Sequence, residues 1–356
     1  MPAVSILMPV KNGAAHLGEC LASIEAQTLT DYELVAVDDG STDATPALLS
    51  EAARRDPRIR PLYQPPAGIV AALELAAAHA RAPLLARMDG DDAMMPHRLE
   101  AQLHLLGCHP HLALVTCGVQ HHPATPPGPG MEAYCHWLNS LNEPEDFRRE
   151  RFIESPLAHP AVMMRRDAYE AAGGYRDTPW AEDYDLWLRM LEAGHAMARH
   201  PETLLLWRDH PHRSSRRDGR YSPAQFMAAK AHYLVRWLRQ RQGGDADRPD
   251  GASPPEVIVW GGRTARRMAA MLVAQGVRLL ALVDVHPRRI GTHYPVPGRQ
   301  FHAPVPVLAP AGLPPPGRHT LLALAGERAS VAPRSLIRQG AHARGYREGH
   351  DFLCLA

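Results

Sequence analysis

Three carboxylates occur close together in the run Arg87-Met88-Asp89-Gly90-Asp91-Asp92. The run follows a short apolar stretch, residues 83–86, whose length and flanking turn residues are typical of a buried strand. The acids should therefore lie at the carboxyl end of that strand, where open α/β sheets bind their ligands. Clustered carboxylates repel one another unless a cation neutralises them, and such oxygen ligands suit Mg²⁺ or Mn²⁺. Taken alone, the run is also typical of a solvated acidic turn.

Two more pairs of acids occupy comparable positions in the chain. Asp38 and Asp39 end a second apolar stretch, and Glu182 and Asp183 open a predicted helix. Each pair has an ordinary structural explanation as well, because acids favour turns and suit the first turn of a helix, where they interact well with the helix dipole. The order of the three groups along the chain is therefore more informative than any one of them.

The elements around these acids alternate between strand and helix over the first ~120 residues, on the evidence of apolar periodicity. The pattern predicts strands at residues 4–8, 32–37, 59–63 and 83–86, and helices at 17–27, 44–54, 70–80 and 97–106. A less regular stretch, 117–160, is followed by a predicted strand at 161–164 and a helix at 166–172. Such alternation indicates an α/β fold with a mainly parallel, doubly wound sheet covered on both faces.

A second, smaller α/β domain is predicted after a polar segment rich in Gly, Pro and Asp. We expect domains at 1–240 and 256–356, joined by a linker at 241–255. The turn Gly261-Gly262-Arg263 resembles the glycine turn of a Rossmann-like fold, but it is one residue short and lacks the last glycine. Asp284 stands where a ribose-binding acid would be. A structural or interaction role and dinucleotide binding both remain open for this domain.

Composition narrows the class of protein. A chain of 356 residues with 45% hydrophobic and 22% charged residues is long enough for two globular domains. A formal net charge of +1 gives no sign of a nucleic-acid partner. The five cysteines show no C-x-x-C spacing, which indicates reduced thiols. With no signal peptide and no apolar run of ~18–20 residues, a cytoplasmic location is expected, and peripheral contact with the inner face of the membrane stays open.

Several longer motifs together resemble the family 2 glycosyltransferases, a group of inverting nucleotide-sugar transferases with the GT-A fold. The resemblance spans residues 3–240 and is carried by the opening run 4–13, by Gln27-Thr28, by residues 33–43 and by residues 181–188. It implies a GT-A domain and a divalent cation, Mn²⁺ or Mg²⁺. It also implies a nucleoside-diphosphate sugar as donor, with uridine the default nucleotide of the family.

The resemblance also implies roles for individual residues. Asp91 and Asp89 match the metal-binding element, with Asp89 also near the donor ribose and Asp92 in support. Asp183 matches the base that deprotonates the acceptor hydroxyl, and Glu182 beside it would contact the acceptor. The remaining donor-binding positions implied by the match are Pro9, Val10, Asn12, Asp38, Asp39 and Arg213.

Some further positions need comment. Asp39 is the predicted partner of the nucleotide base, whereas Arg213, predicted to face the diphosphate, could equally belong to a solvated basic loop. His210 and His212 are weaker candidates as metal neighbours, because the chain holds 21 histidines. Relatives commonly have Asn where this chain has Glu74, and we expect altered local hydrogen bonding there rather than lost activity.

The sequence therefore predicts a metal-dependent inverting glycosyltransferase of the hexosyl or a related class. Its acceptor would be a saccharide or a lipid-linked sugar, in the synthesis of bacterial surface polysaccharide or glycolipid. One alternative is a sugar-phosphate nucleotidyltransferase, although residues 9–13 lack the Gly-rich basic loop that such enzymes carry after the first strand. The other alternative is a non-catalytic nucleotide-sugar-binding scaffold, against which the presence of Asp183 argues.

Overall fold

A computed structural model describes residues 1–122, 128–211, 213–241, 253–296, 303–324 and 331–355. The chain divides into two compact units. The first comprises Met1–Phe147 and Ser155–Tyr221, and the second comprises Arg148–Glu154 and Ser222–Ala356. The expected division into 1–240, 241–255 and 256–356 stays a prediction, because most of its linker, residues 242–252, lies outside the described residues.

The first unit contains eight strands in its described part. They are β1 (Val4–Val10), β2 (Tyr32–Asp39), β3 (Ile59–Gln64), β4 (Leu84–Arg87), β5 (Ala93–Met94), β6 (Leu112–His121), β7 (Met163–Arg165) and β8 (Ala196–Trp207). The helices up to Arg217 are α1 (Ala14–Glu25), α2 (Thr45–Arg55), α3 (Ile69–His79), α4 (Arg98–Cys108), α5 (Pro129–Leu138), α6 (Pro144–Glu150), α7 (Arg166–Ala171), α8 (Glu182–Glu192) and α9 (Ser214–Arg217).

These strands form one mixed sheet in the order β3-β2-β1-β4-β7-β6-β8-β5. The pairs β2–β3, β1–β2, β1–β4 and β6–β8 are parallel, and the pairs made by β7 and β5 are antiparallel. The α/β class expected from the sequence is confirmed, with a large mixed sheet. Because β1, β2 and β4 run in the same direction, their carboxyl ends meet at one edge of the sheet.

Apolar side chains cover both faces of this sheet. Ile6 and Met8 of β1 belong to a buried cluster with Leu17 of α1, whereas Leu7 between them belongs to a second cluster with Trp187 of α8. Successive residues of a strand point to opposite faces, so a strand buried on both faces needs apolar residues at nearly every position. In β1 the exception is Ser5, whose buried hydroxyl donates to Glu33 at 2.7 Å. All seven of its residues are buried.

β1 is longer than the sequence pattern suggested. Pro9 and Val10, expected in a loop, are the last two residues of the strand and pair with Val37 and Asp38 of β2. Proline fits here because its φ suits an extended backbone, although it donates no ladder hydrogen bond. The loop therefore begins only at Lys11, and Asp38 and Asp39 lie at the very end of β2.

The second unit contains a smaller sheet. Its helices are α10 (Pro223–Arg241), α11 (Arg263–Ala274) and α12 (Val331–His342), and its strands are β9 (Glu256–Gly261), β10 (Arg278–Val283), β11 (His293–Tyr294), β12 (Val305–Leu308), β13 (Thr320–Leu324) and β14 (Phe352–Leu355). The strand order is β11-β12-β10-β9-β13-β14, and β11 is the antiparallel member. The parallel part, β12-β10-β9-β13-β14, has the order of doubly wound nucleotide-binding sheets. This order is consistent with the Rossmann-like assignment, which stays a prediction.

Two polar contacts tie the short segment Arg148–Glu154 to the rest of the second unit. The ammonium of buried Lys230 donates to the carbonyl of Ile153 at 2.8 Å, and Arg338 pairs with Glu150 at 2.6 Å.

Across the described ranges, the structure contains no helix with both the length and the apolar character needed to span a bilayer.

Candidate functional site

Hydrogen bonds join the loops that follow β1 and β2. The backbone N–H of Asn12 donates to Oγ of Ser41 at 2.7 Å, and Oδ1 of Asn12 accepts from the N–H of Thr42 at 2.8 Å. Asn12 has a φ of 51°, a left-handed conformation that asparagine tolerates better than most residues. Asp43 further accepts from the N–H of Ala14 at 3.1 Å. These bonds fix one side of the edge where the acids gather.

Asp39 is held by the segment that leads into α3. Its Oδ1 accepts from the side-chain amide of Gln64 and from the N–H of Ala67, each at 2.7 Å, while Oδ2 accepts from the N–H of Gly68 at 3.0 Å. Burial opposes ionisation, but these bonds and nearby Lys11 lower the pKa of Asp39 below its usual range. Asp39 is therefore an anion that the fold has already stabilised.

Its neighbour Asp38 is less completely satisfied. Oδ2 of Asp38 accepts weakly from the N–H of Ser41 at 3.3 Å, whereas Oδ1 is buried and accepts no hydrogen bond from the described residues. A buried carboxylate oxygen without a donor costs free energy unless a ligand supplies one. The sequence predicts that this strand end contacts the sugar donor. Oδ1 of Asp38 is available to accept a hydrogen bond from such a ligand.

Asp89, Asp91 and Asp92 form the acidic cluster predicted from the sequence, just beyond β4. Each offers a carboxylate oxygen, and these atoms all lie within 4.8 Å of one another. Burial and the charge of Asp91 raise the pKa of Asp92 well above its usual range. Oδ1 of Asp92 accepts from the N–H of Arg208 at 2.7 Å, but Oδ2 is buried and accepts no hydrogen bond from a described residue.

Two arginines supply positive charge to this cluster. Arg87, the last residue of β4, is 2% exposed and forms an ion pair with Asp89. The guanidinium of Arg213 lies 3.7 Å from Asp89 and packs over the ring of Trp207 at 4.9 Å. Its side chain is only 10% exposed. Arg213 therefore faces the acids, and the alternative of a solvated basic loop does not describe it.

His210 is the histidine that the structure brings to the cluster. Its Nε2 lies 2.8 Å from Oδ2 of Asp91, and its ring centroid lies 5.1 Å from that of His16. Burial opposes ionisation of Asp91, but the bond from His210 and the charge of Arg213 lower the pKa of Asp91. His212, the other candidate metal neighbour in the sequence, lies outside the described residues.

Arg208 organises the same edge and was not anticipated. Besides its N–H bond to Asp92, its guanidinium donates to the carbonyl of Asp91 at 2.9 Å and contacts Glu19 and His122. The side chain of Arg208 is 5% exposed. Its partners come from three distant parts of the chain, so no local pattern in the sequence could have identified it.

Glu182 and Asp183 begin α8, as predicted. Glu182 is 1% exposed, and burial raises its pKa above the usual range. Burial and the charge of Glu182 raise the pKa of Asp183 to about 7, and the charge of Asp89 contributes in the same direction. Oδ1 of Asp183 accepts from the N–H of Tyr184 at 2.6 Å. A carboxyl with this pKa can exchange a proton near neutral pH.

Glu182 has partners that the sequence did not reveal. The hydroxyl of Tyr221 lies 2.8 Å from both of its oxygens. Nδ1 of His159 lies 3.8 Å from Oε1, and the other ring nitrogen of His159 bonds to the hydroxyl of Tyr175 at 2.7 Å. Burial lowers the pKa of His159 well below its usual range, so this ring is neutral.

The turn before α8 is fixed by residues that have no part in the predicted chemistry. Glu74 of α3 accepts from the N–H of Tyr175 at 2.7 Å and from the hydroxyl of Tyr169. Asp185 of α8 pairs with Arg189 at 2.8 Å, and Arg189 donates to the carbonyl of Gly174 at 2.6 Å. The sequence predicts that hydrogen bonding at Glu74 differs from that of relatives with Asn there. In this structure the carboxylate of Glu74 supports the turn that carries Tyr175.

Comparison with known proteins covers most of the first unit. The family described as Glycosyl transferase family 2 matches residues 5–173. EpsE of Bacillus subtilis (strain 168), named as a glycosyltransferase, is 33% identical over 234 residues, which cover 62% of this chain and 78% of that protein. The amylovoran biosynthesis glycosyltransferase AmsE of Erwinia amylovora is 31% identical over 209 residues, covering 58% of this chain and 75% of that protein.

Solved structures share the fold at low sequence identity. The structure of S. aureus TarS 1-349 in complex with UDP-GlcNAc is 14% identical, covers 78% of this chain and 82% of that chain, and has a TM-score of 0.54. A second structure of the same S. aureus fragment has a TM-score of 0.52. At this identity the likeness concerns the fold, and the expected GT-A architecture is confirmed.

Proposed function

This chain belongs to glycosyltransferase family 2 and is a glycosyltransferase, and we propose that it acts by metal-assisted inversion. In this proposal a sugar passes from a nucleoside-diphosphate donor to an acceptor hydroxyl. The observation that carries it is the cluster of Asp89, Asp91 and Asp92, together with Asp183, whose pKa is about 7. The two alternatives, a nucleotidyltransferase and a non-catalytic scaffold, are set aside because the chain is a glycosyltransferase.

The cluster fits a divalent cation by its own chemistry. The three carboxylates offer oxygens within 4.8 Å of one another, and the charges of Asp91 and Asp89 help to raise the pKa of Asp92. The buried Oδ2 of Asp92 accepts no hydrogen bond from the described residues. A cation would relieve both costs. Asp91 and Asp89 would hold the cation. The imidazole of His210 lies 2.8 Å from Asp91 and would offer a ring nitrogen as a further metal ligand. When bound, Mn²⁺ or Mg²⁺ supplies a positive charge that stabilises the departing diphosphate.

The side chains around the cluster complete the donor site in this proposal. Arg213 and Arg87 place guanidinium groups beside Asp89, where they would attract the diphosphate. The nucleotide base would lie at the ends of β1 and β2, near Asn12, the open Oδ1 of Asp38 and the anionic Asp39. Pro9 and Val10 are buried in β1, so they would support this site through the backbone rather than by side-chain contact.

Asp183 is the proposed base. Its Oδ1 is bonded to the N–H of Tyr184, which leaves Oδ2 to take the proton of the acceptor hydroxyl as that oxygen attacks the anomeric carbon. A base with a pKa near the working pH is ionised often enough to act and still binds the proton well. Direct attack by the acceptor inverts the configuration at the anomeric carbon.

The substrates are proposed from the relatives. The TarS structure holds UDP-GlcNAc, and AmsE is named for amylovoran biosynthesis. We therefore expect a uridine-diphosphate sugar as donor and a saccharide or lipid-linked sugar as acceptor, in the synthesis of a bacterial polysaccharide. The chain is expected to act in the cytoplasm, at the inner face of the membrane when the acceptor is lipid-linked.

A thermal-shift experiment tests donor and cation together. UDP-GlcNAc and other UDP- and GDP-sugars are added with and without Mn²⁺, because a ligand that binds only the folded state raises its stability. We expect Mn²⁺ to increase the shift given by the true donor and Asp91→Asn to remove that increase. The exposed Asp31→Asn is the matched control. If no nucleotide sugar stabilises the native protein and none is turned over to free nucleotide, the proposal is wrong.

A further inference from the structure

The hydroxyl of Tyr221 bridges both oxygens of Glu182. The two distances are equal at 2.8 Å, and Glu182 is almost completely buried. A buried carboxylate is strongly destabilised unless a donor compensates for its lost hydration. Tyr221 is the side chain that donates to it, in addition to the backbone N–H of Glu182 itself, and it is the last residue of the first compact unit.

The other groups that face Glu182 provide less direct compensation. Arg87 on β4 and Arg220, next to Tyr221, act on its charge through space, and both favour ionisation. His159 is neutral and its Nδ1 is 3.8 Å away, beyond hydrogen-bond distance. On its own helix, Asp183 carries a like charge that disfavours ionisation. Tyr221 is thus the one hydrogen-bonding side chain described at this carboxylate.

We propose that Tyr221 is a positioning residue, which keeps Glu182 ionised and in place so that the charge of Glu182 strengthens Asp183 as the base. The inference rests on the proposed function of Asp183. It assigns Glu182 to a role exerted through Asp183, in place of the acceptor contact suggested by the sequence. Tyr221 itself touches neither sugar nor acceptor in this assignment.

The physical argument concerns two neighbouring carboxyls. When Glu182 is ionised, its negative charge raises the proton affinity of Asp183, as does burial. The groups facing Asp183 are Glu182 and Asp89, which raise its pKa, and Arg87, which lowers it; Tyr175 and Tyr221 are also nearby. Of these charged groups, Glu182 is the one whose carboxylate is hydrogen-bonded by a single side-chain hydroxyl, that of Tyr221. A base of higher proton affinity takes the acceptor proton more readily.

Tyr221→Phe therefore has a specific expected effect. Without the hydroxyl, Glu182 holds a proton to higher pH, and Asp183 no longer has an anion beside it. The acid limb of the pH profile of kcat/KM should move to lower pH by about one unit, while the plateau falls about tenfold because the base is weaker. A change that only loosened the structure would lower the rate without moving the limb.

Two comparisons isolate the effect. Tyr32→Phe removes a buried hydroxyl that donates to the carbonyl of Ile24 at 2.9 Å, at the opposite end of β2, and should leave the limb in place. Glu182→Gln removes the charge directly and should shift the limb downward by itself. Adding Tyr221→Phe to Glu182→Gln should then produce no further shift, since the two changes act through one carboxylate.

A second measurement needs no donor or acceptor. The ¹³C carboxyl signal of Asp183 in aspartate-labelled full-length protein, assigned by its loss in Asp183→Asn, should titrate near pH 7 and move lower in Tyr221→Phe. The inference is overturned if folded Tyr221→Phe leaves the titration unchanged, or if it shifts it equally in the Glu182→Gln background. Normal turnover by Asp183→Asn would instead refute the proposed function, while the titration would still decide the role of Tyr221.

Discussion

The two compact units use the same arrangement of parallel strands and treat its acids differently. The first unit has the order β3-β2-β1-β4, and the second has the corresponding order β12-β10-β9-β13. In each, an acid stands at the end of the second strand, Asp39 in one and Asp284 in the other. Both are stabilised as anions, since hydrogen bonds outweigh burial and lower the pKa of each.

The difference is that two acids of the first unit remain hard to ionise despite nearby arginines, whereas Asp284 does not. Asp284 pairs with Arg266 at 3.2 Å and with Arg289 at 3.1 Å, and it accepts from the N–H of His286 at 2.9 Å. In the first unit, burial and neighbouring anions instead raise the pKa of both Asp92 and Asp183. An acid that the protein has already neutralised gives no reason to infer a ligand, whereas a buried acid kept at a cost does.

The largest expected contrast between the units is in catalysis. Asp183→Asn removes the proposed base while keeping the side-chain oxygen that accepts from Tyr184, and we expect transfer to fall about 10²–10⁴-fold. Asp284→Asn makes the same chemical change in the second unit, where the carboxylate is already paired, and transfer should be unchanged. The measurement is nucleotide release from the donor identified by thermal shift, in the presence of acceptor.

The contrast between the units would be broken by either of two results. Near-normal turnover by folded Asp183→Asn would remove the assigned base. A large loss of transfer in folded Asp284→Asn would show that the second unit takes part in the reaction, and that a neutralised acid can still mark a functional site.

The acids of the proposed site could be predicted from the sequence because their signal is local. Asp89 and Asp91 follow a short apolar strand, and Glu182 and Asp183 open a helix, so each group is visible within a few residues. Their partners have no such local signal: His210 was only a weaker candidate among 21 histidines, and Tyr221 was not a candidate. His210 reaches Asp91 from 119 positions away, and Tyr221 reaches Glu182 from 39. Contacts of this kind depend on tertiary packing, which periodicity does not encode.

The fold, like the site, could be predicted from the sequence only in part. Strand–helix alternation predicted the parallel strands β1 to β4 and the helices between them, and β1, β2 and β4 are buried on both faces. The ends of elements were less accurate, since Pro9 and Val10 belong to β1 through pairing with β2. The antiparallel insertion of β7 between β4 and β6 was not predicted either. Its three residues give too short a pattern to reveal a partner.

Stability should respond in opposite directions to the same substitution in the two units. The pKa of Asp183 is raised to about 7, so its folded form favours the proton, and this stability is lost as pH rises through 7. Asp183→Asn should therefore raise the melting temperature of the first unit at pH 8. The pKa of Asp284 is lowered, so its ionised form contributes stability above the unfolded pKa. Asp284→Asn should lower the stability of the second unit at pH 8, by about 1–2 kcal/mol.

Calorimetry at pH 8 and pH 5 can distinguish these signs. The gain from Asp183→Asn should shrink at pH 5, where native Asp183 is already protonated. The loss from Asp284→Asn should persist at pH 5, because stability from a lowered pKa disappears only as pH falls through the folded value. Destabilisation by Asp183→Asn at pH 8 would mean that its carboxylate is compensated by the fold after all, as that of Asp284 is.

The smallest expected effect on transfer concerns the glycine turn of the second unit. Gly261 has a φ of 144°, and a Cβ placed on it would lie 2.4 Å from the carbonyl oxygen of Leu324. Glycine is thus required there by strand packing, without any phosphate to explain it. Gly261→Ala should destabilise the second unit by about 2–4 kcal/mol. Gly276 has a φ of 90°, but a Cβ placed on it would meet no atom within 4 Å. Gly276→Ala should therefore destabilise the second unit by only about 1 kcal/mol.

Hydrogen exchange resolved by peptide would locate the loss within the second unit, and transfer per folded molecule should not change in either variant. If Gly261→Ala were instead well folded but impaired in transfer, or if it lost affinity for a nucleotide that stabilises the native second unit, the turn would be a ligand site. The two units would then resemble each other in function as well as in strand order, because both would use the loop after their first strand to hold a nucleotide.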